Sequence, residues 1–246
     1  MTTARTGHQD FPHTRWSLVV EATQGASSKS AAALELICRT YWYPLYAYVR
    51  RSGQSPHDAE DLTQEFFHRL LEKRWLADAN QEKGKLRTFL ITALKNFMAK
   101  EWRRAGTMRR GGNRTHIPID TVFAESRYAA DPTAPLPADH LYERQWALTL
   151  LELTLERLRR EFVTAGKSGD FELLKECLMA ARGEMDYTAM AVRLGSSEGA
   201  TRVAVHRLRK RFREIYREEV LLTLPEGTDL DSELRCLAEA LSTKKS

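Results

Sequence analysis

The chain has 246 residues, 42% of them apolar, and carries 38 Lys and Arg against 33 Asp and Glu for a formal net charge of +5. That apolar content suffices for packed cores and excludes a chain disordered throughout. Cys38, Cys177 and Cys236 are odd in number, far apart and form no C-x-x-C. They therefore point to a reducing cytoplasm, without a disulfide framework or a cysteine zinc site.

No apolar run approaches the roughly 20 residues of a membrane span, and MTTARTGHQD lacks an apolar signal core. A soluble cytoplasmic protein is expected. Residues 1–29 read as an N-terminal extension whose piece FPHTRWSLVVEAT packs Trp16 on the domain that follows. Helices are expected near 30–51, 56–76 and 85–104, within a first domain over 30–114. Four of the eight prolines (Pro118, Pro132, Pro135, Pro137) fall between His116 and Ala138, so 115–138 reads as a linker. A second domain over 139–224 holds helices near 139–165, 170–182, 187–194 and 198–220. In the extension 225–246, Leu230, Leu234, Leu237 and Leu241 make a short amphipathic helix capped by Thr228 or Asp229, expected to fold back on the second domain, with binding to a regulator as the alternative. The fold class is all-α: two small helical domains joined by a flexible linker, the second containing a helix-turn-helix.

The stretch HDAEDLTQEFFHRLL crowds Asp58, Glu60, Asp61 and Glu65 into a basic chain. Ser55-Pro56-His57-Asp58 is a helix start, with Ser as N-cap, Pro first and Asp third. At 100° per residue Ala59, Leu62, Phe66 and Leu70 share one face, while Asp58, Asp61, Glu65 and Glu72 form a stripe within about 60° of one another. The acids read as a solvated face favoured by the helix dipole, as metal ligands, or as a docking surface for a basic partner. Glu65 and His68 make one Glu-x-x-His pair, and helical di-iron sites need two. No second pair occurs in the chain.

The positive charge is clustered. Gly84 to Arg114 holds nine Lys and Arg and one acid, and Arg202 to Arg213 holds six and none. Two such blocks suit two contacts with a polyanion, although either also reads as solvated surface. In the first, Leu86, Phe89, Leu90, Ala93, Leu94 and Phe97 form the apolar side of a helix. Thr88, Thr92, Asn96, Ala99 and Arg103 line another side, flanked by Lys95 and Lys100, with Trp102 the aromatic placed for exposure. Asn reads base edges and Lys or Arg neutralises phosphates. In the second, a short helix ends at Gly195, Ser196 or Ser197 caps the next, and Ala200, Ala204, Leu208 and Ile215 face inward. Arg202, His206, Arg209 and Arg213 then run along the outside with Lys210 adjoining, which suits a helix lying in a major groove.

Taken together, SPHDAEDLTQEFFHRLL, RTFLITALKNFMAKEWRR and YTAMAVRLGSSEGATRVAVHRLRKRFRE resemble the bacterial extracytoplasmic-function (ECF) sigma factors, over roughly residues 30–110 and 140–220. The resemblance implies an initiation subunit of RNA polymerase, with 30–114 a region-2-like domain and 139–224 a region-4-like domain. Asp58, Asp61, Leu62, Gln64, Glu65 and Phe66 would dock on the coiled coil of the polymerase's largest subunit. Lys95, Asn96, Lys100, Arg103, Arg104, Arg109 and Arg110 would bind and open the −10 element. Thr201, Arg202, His206, Arg207, Arg209 and Lys210 would read the −35 element. Core polymerase and promoter DNA are the implied partners, with an anti-sigma or other regulator as a further one. The resemblance calls for no membrane and no small-molecule substrate. Neither G-x-x-x-x-G-K-[ST], G-x-S-x-G nor a metal-ligand spacing occurs, so no enzymatic activity and no cofactor are expected. The competing reading is a stand-alone helix-turn-helix regulator that does not bind core polymerase.

Overall fold

The computed structural model describes residues 28–72, 84–105, 121–129, 136–180, 184–225 and 227–242. Among them every regular element is a helix, in keeping with the all-α expectation: α1 (Ser28–Arg51), α2 (Pro56–Glu72), α3 (Leu86–Ala105), α4 (Thr121–Ala129), α5 (Ala138–Thr164), α6 (Ser168–Leu174), α7 (Glu176–Met179), α8 (Tyr187–Leu194), α9 (Glu198–Leu221) and α10 (Leu230–Ser242). No described helix is long and apolar enough to cross a membrane. The expected packing of Trp16 lies outside the described residues, as does everything else in 1–27.

The chain divides into two compact units, Met1–Trp146 with Leu221–Ser246, and Ala147–Val220. The second unit is narrower at both ends than the expected domain 139–224. The start of α5, and the described residues from Leu221 onward, pack with the first unit.

The first unit is built on α1, α2 and α3. Tyr41, Leu45 and Tyr46 of α1 are buried with Phe66, Phe67 and Leu70 of α2 and with Leu90, Leu94 and Phe97 of α3. Each such side chain removed from water contributes about 1.5–3 kcal/mol. Tyr41 stacks on Trp146 with ring centres 4.7 Å apart, and Phe66 lies 5.9 Å from Phe97. Ser55 caps α2 as expected: its hydroxyl accepts from the Asp58 amide at 3.1 Å and donates to the Asp58 carboxylate at 2.7 Å. The described part of α2 closes at Glu72, so its expected extension to 76 lies outside the described residues.

Two expectations about connections are corrected. The linker 115–138 contains a helix, α4, whose nine residues lie between the prolines at 118 and 132. Glu125 of α4 accepts from Arg50 at 2.7 and 2.9 Å and from the Tyr46 hydroxyl at 2.6 Å, and Arg127 lies 4.1 Å above the Tyr43 ring. The tail helix α10 is the second correction. It belongs to the first unit, where Glu233 pairs with Lys85 and Arg87 and Leu237 is buried, rather than to the second. Asp229 rather than Thr228 caps it, accepting from the Asp231 amide at 3.1 Å.

In the second unit Leu158, Phe171, Leu174, Met190, Leu208 and Ile215 form the core. The helix expected over 170–182 is two short ones, because the ladder lapses at Lys175, where the Leu178 amide bonds three residues back instead of four. Across the molecule the three thiols are unpaired. Cys38 and Cys177 are buried, and burial pushes the Cys38 thiol up to about 11, out of the reactive range.

Candidate functional site

Helix α2 carries the acidic stripe. Asp58 is exposed and Asp61 half-buried, with its carboxylate 3.4 Å from Nδ1 of His57. Leu62 is also half-buried. Two members of the expected docking set are corrected by the packing. Phe66 has no exposed surface and Gln64 keeps 5%, because both fall on the buried side with Thr63 and Phe67. Glu65 is tied to Arg69 at 2.7 Å, and Arg69 reaches Glu101 of α3 at 2.7 Å while lying 5.0 Å over the Phe97 ring. The acidic edge is thus exposed at Asp58 and half-buried at Asp61 and Glu65, and Arg69 fastens α2 to α3. The side chain of Glu72 lies outside the described residues.

Helix α3 presents the polar stripe as its apolar period requires. Leu86, Leu90, Leu94 and Phe97 are buried, which turns Thr88, Thr92, Asn96, Ala99 and Arg103 outward, all exposed. Lys95 and Lys100 flank the stripe, and Trp102 keeps half its surface in water. Lys95 is already engaged: Asp139 lies 2.5 Å away, a contact that holds the ammonium above its ordinary range, and the Tyr48 ring sits 5.5 Å from it. The Arg103 Nε donates to the Ala99 carbonyl at 3.1 Å. The side chain of Arg104, and all of Arg109 and Arg110, lie outside the described residues.

In the second unit α8 and α9 are joined by Gly195-Ser196-Ser197. Asp186 caps α8 by accepting from the Ala189 amide at 2.9 Å. Gly195 ends it in the left-handed region at φ 59, a backbone conformation without penalty only for glycine. Ser197 caps α9, accepting from the Ala200 amide at 3.2 Å, while Ser196 pairs with the Thr201 hydroxyl at 2.8 Å.

The buried side of α9 is Thr201, Val205, Leu208 and Ile215, with Ala204 half-buried and Ala200 exposed. It is rotated by about one residue, roughly 100°, from the expected face at its first turn. Two expected base readers change role as a result. Thr201 is fully buried, its hydroxyl donating to the Ser197 carbonyl at 3.1 Å. Arg209 turns back into the fold, donating to the Cys177 carbonyl at 3.0 and 2.7 Å and to the Ala180 carbonyl at 2.8 Å.

Arg202, His206, Arg207 and Lys210 are exposed as expected, with Arg213. Arg202 is held by Glu198 at 2.6 Å and lies 4.3 Å over the Tyr187 ring. That contact with Arg202, followed by the Thr188 hydroxyl, keeps the Glu198 carboxyl below its ordinary range. Val203, which the sequence reading did not single out, is exposed beside these cations. Its signal is the buried series 201, 205, 208, which leaves 203 pointing away.

Among the described residues no cluster of His, Cys, Asp and Glu is arranged to hold a metal ion. The arrangement instead offers two kinds of surface within reach of macromolecules, an acidic edge on α2 and polar, cationic stripes on α3 and α9.

Residues 39–107, a stretch running from within α1 to just past α3, match the family model Sigma-70 region 2. The match spans less than half of the chain. It supports the sigma-70 family, whose members are transcription initiation factors that join core RNA polymerase and recognise the −10 promoter element, and not catalysts. No curated protein and no solved structure matches the chain.

Proposed function

We propose that this chain is an alternative sigma factor of the ECF type. In this reading it joins core RNA polymerase through α2, binds and opens the −10 element with α3, and reads the −35 element with the α8–α9 helix-turn-helix. The observation that carries the reading is the coincidence of the region 2 match with α1, α2 and α3, two of which bear oppositely charged exposed faces. Asp58 and Asp61 meet a basic coiled coil of the polymerase's largest subunit, and opposite charges steer that encounter. On α3, Asn96 supplies a paired donor and acceptor for a base edge, Lys100 and Arg103 face phosphates, and Trp102 supplies a stacking surface for an unpaired base. Lys95 must exchange Asp139 for phosphate when DNA arrives.

On α9 the base and phosphate contacts are Arg202, His206, Arg207 and Lys210. Nothing covalent happens. Unstacking a promoter step costs a few kcal/mol, offset by base capture and phosphate contacts.

The test is co-elution of the full chain with bacterial core polymerase on a sizing column, followed by transcription from promoter templates. Asp58→Lys with Asp61→Lys should weaken holoenzyme formation by about tenfold or more, equivalent to about 1.4 kcal/mol, and the defect should grow as salt is lowered. Glu65 is left intact because reversing it would break its own ion pair with Arg69, which also holds Glu101 of α3. A chain that binds duplex DNA but never core polymerase would instead be a stand-alone regulator.

A further inference from the structure

Helix α10 lies outside the matched stretch, yet it is seated on the first unit by charges withdrawn from water. Glu233 keeps 2% of its side-chain exposure and pairs with Lys85 and, at 2.6 Å, with Arg87. Arg87 keeps 6% and reaches Glu143 at 3.1 Å. The Tyr142 hydroxyl donates to the Arg87 carbonyl at 2.9 Å. At the far end of α10, Arg144 donates to the Leu241 carbonyl at 2.6 Å, one of the terminal carbonyls without an intrahelical partner. Thr223, Leu224 and Leu237 are buried along the same segment.

The two cations sit where α3 begins. Lys85 immediately precedes the helix, Arg87 is its second residue, and α3 has no acid in its own first turn. Cations at a helix N-terminus oppose the helix dipole, and acids there favour it. The tail therefore brings to α3 the negative charge that its own first turn lacks. A contact this deeply buried is unsuited to routine release, since removing Glu233 would leave Arg87 enclosed with one carboxylate fewer.

We infer that Glu233 is a positioning residue for promoter opening: α10 fixes the start of α3, and with it the direction of the exposed stripe Thr88, Thr92, Asn96 and Arg103. This inference rests on the sigma-factor reading above. It assigns the C-terminal segment to the DNA-opening machinery, where a small displacement of a reading helix is costly because reacting or recognising groups tolerate little misplacement.

The experiment compares full-length wild type with Glu233→Gln and, separately, Leu237→Asp, each assembled with core polymerase. Three quantities are read: core affinity, transcription from a fully duplex promoter, and transcription from the same promoter with its −10 region already unpaired. A positioning role predicts a loss of about tenfold or more on duplex template, with core affinity and output from the unpaired template within about twofold of wild type.

Both lesions should behave alike, since they undock α10 through two different contacts, one ionic and one apolar, of the same buried face. Arg87→Met combined with Glu233→Met, which exchanges the ion pair for apolar contact, should recover duplex activity. If Glu233→Gln does not fold, Glu233→Asp, which retains the charge on a shorter arm, supplies the same ratio. Equal losses on both templates would make α10 a folding staple only and overturn the inference, as would unchanged duplex activity. Failure of wild type to bind core polymerase is seen before any variant is read, and would overturn the sigma-factor reading together with this one.

Discussion

Replacing Arg209 should damage the fold of the second unit more than its affinity for DNA. Its guanidinium makes three short contacts, to the carbonyl of Cys177 within the four-residue α7 and to that of Ala180, the residue that follows it. A hydrogen bond to a charged group contributes about 1.5–3 kcal/mol, and carbonyls left without partners add to the cost of losing it. The side chain is half-buried, so water recovers part of that. Arg209→Ala should therefore lower unfolding free energy by about 2–3 kcal/mol. Arg209→Lys should lose roughly half as much, because an ammonium cannot fork across two carbonyls in the way a planar guanidinium does.

The assay is urea unfolding followed by helical signal, read as a lower midpoint with an unchanged slope, beside −35 binding measured below the transition. Arg207→Ala is the control. Its exposed side chain should leave stability within about 0.5 kcal/mol while lowering DNA affinity and the salt slope by about 1. Unchanged stability in Arg209→Ala together with a selective loss of DNA affinity would refute this assignment and return Arg209 to the groove.

Two further outcomes follow from local geometry. Gly195→Ala places a side chain in the left-handed region with open space around it, so the cost is backbone strain alone, about 1 kcal/mol in the same urea experiment; a neutral result would mean that the turn relaxes to another conformation. Glu125 is held below its ordinary value of 4.5 by the hydrogen bond from Arg50, against some opposing burial and with further help from the Tyr46 hydroxyl. A depressed folded-state value means its contribution is present in full above about pH 4.5 and is lost as pH falls through the folded value. The stability difference between wild type and Glu125→Gln should accordingly shrink on acidification below pH 4.5, and a difference that grows there would contradict the ion pair.

The elements most legible in the sequence were those whose ends are set by local chemistry. The span 187–194 is found at its expected bounds because Asp186 and Gly195 act within a few residues of themselves. The outward stripe of α3 was legible because Leu86, Leu90, Leu94 and Phe97 leave only one face for the polar residues. On α9 the pattern was ambiguous: Ala200 and Ala204 compete with Thr201 and Val205 for the inside. What decides is the Thr201 hydroxyl, satisfied by Ser196 and Ser197, and hydropathy does not register such a bond. Arg209 finds its acceptors 29 and 32 residues away, a pairing no spacing reveals. The leucines of α10 showed that the helix docks. Glu233, four residues before Leu237 on the same face, was the available sign that the docking surface carries buried cations.

That last residue bears on how basic blocks in helical sequences are to be understood. Counting Lys and Arg along 84–114 and 202–213 treats every cation as part of one electrostatic footprint, but the fold sorts them. Lys85 and Arg87 face the acids of α10 and α5, Arg209 closes a helix end, and Arg211 is held by Glu161 at 2.7 Å. These cations stabilise the units and contribute little to counterion release, which depends on phosphates neutralised and not on charge carried. Lys100, Arg103, Arg207, Lys210 and Arg213 remain on exposed faces. A positive run in such a chain therefore records two quantities at once, the acids that must be matched inside and the polyanion that can be met outside. Only the packing of the opposite helix face separates them. In α3 the separation falls between its first turn and its middle, which is why the residue that governs the reading stripe lies in the tail rather than within the stripe itself.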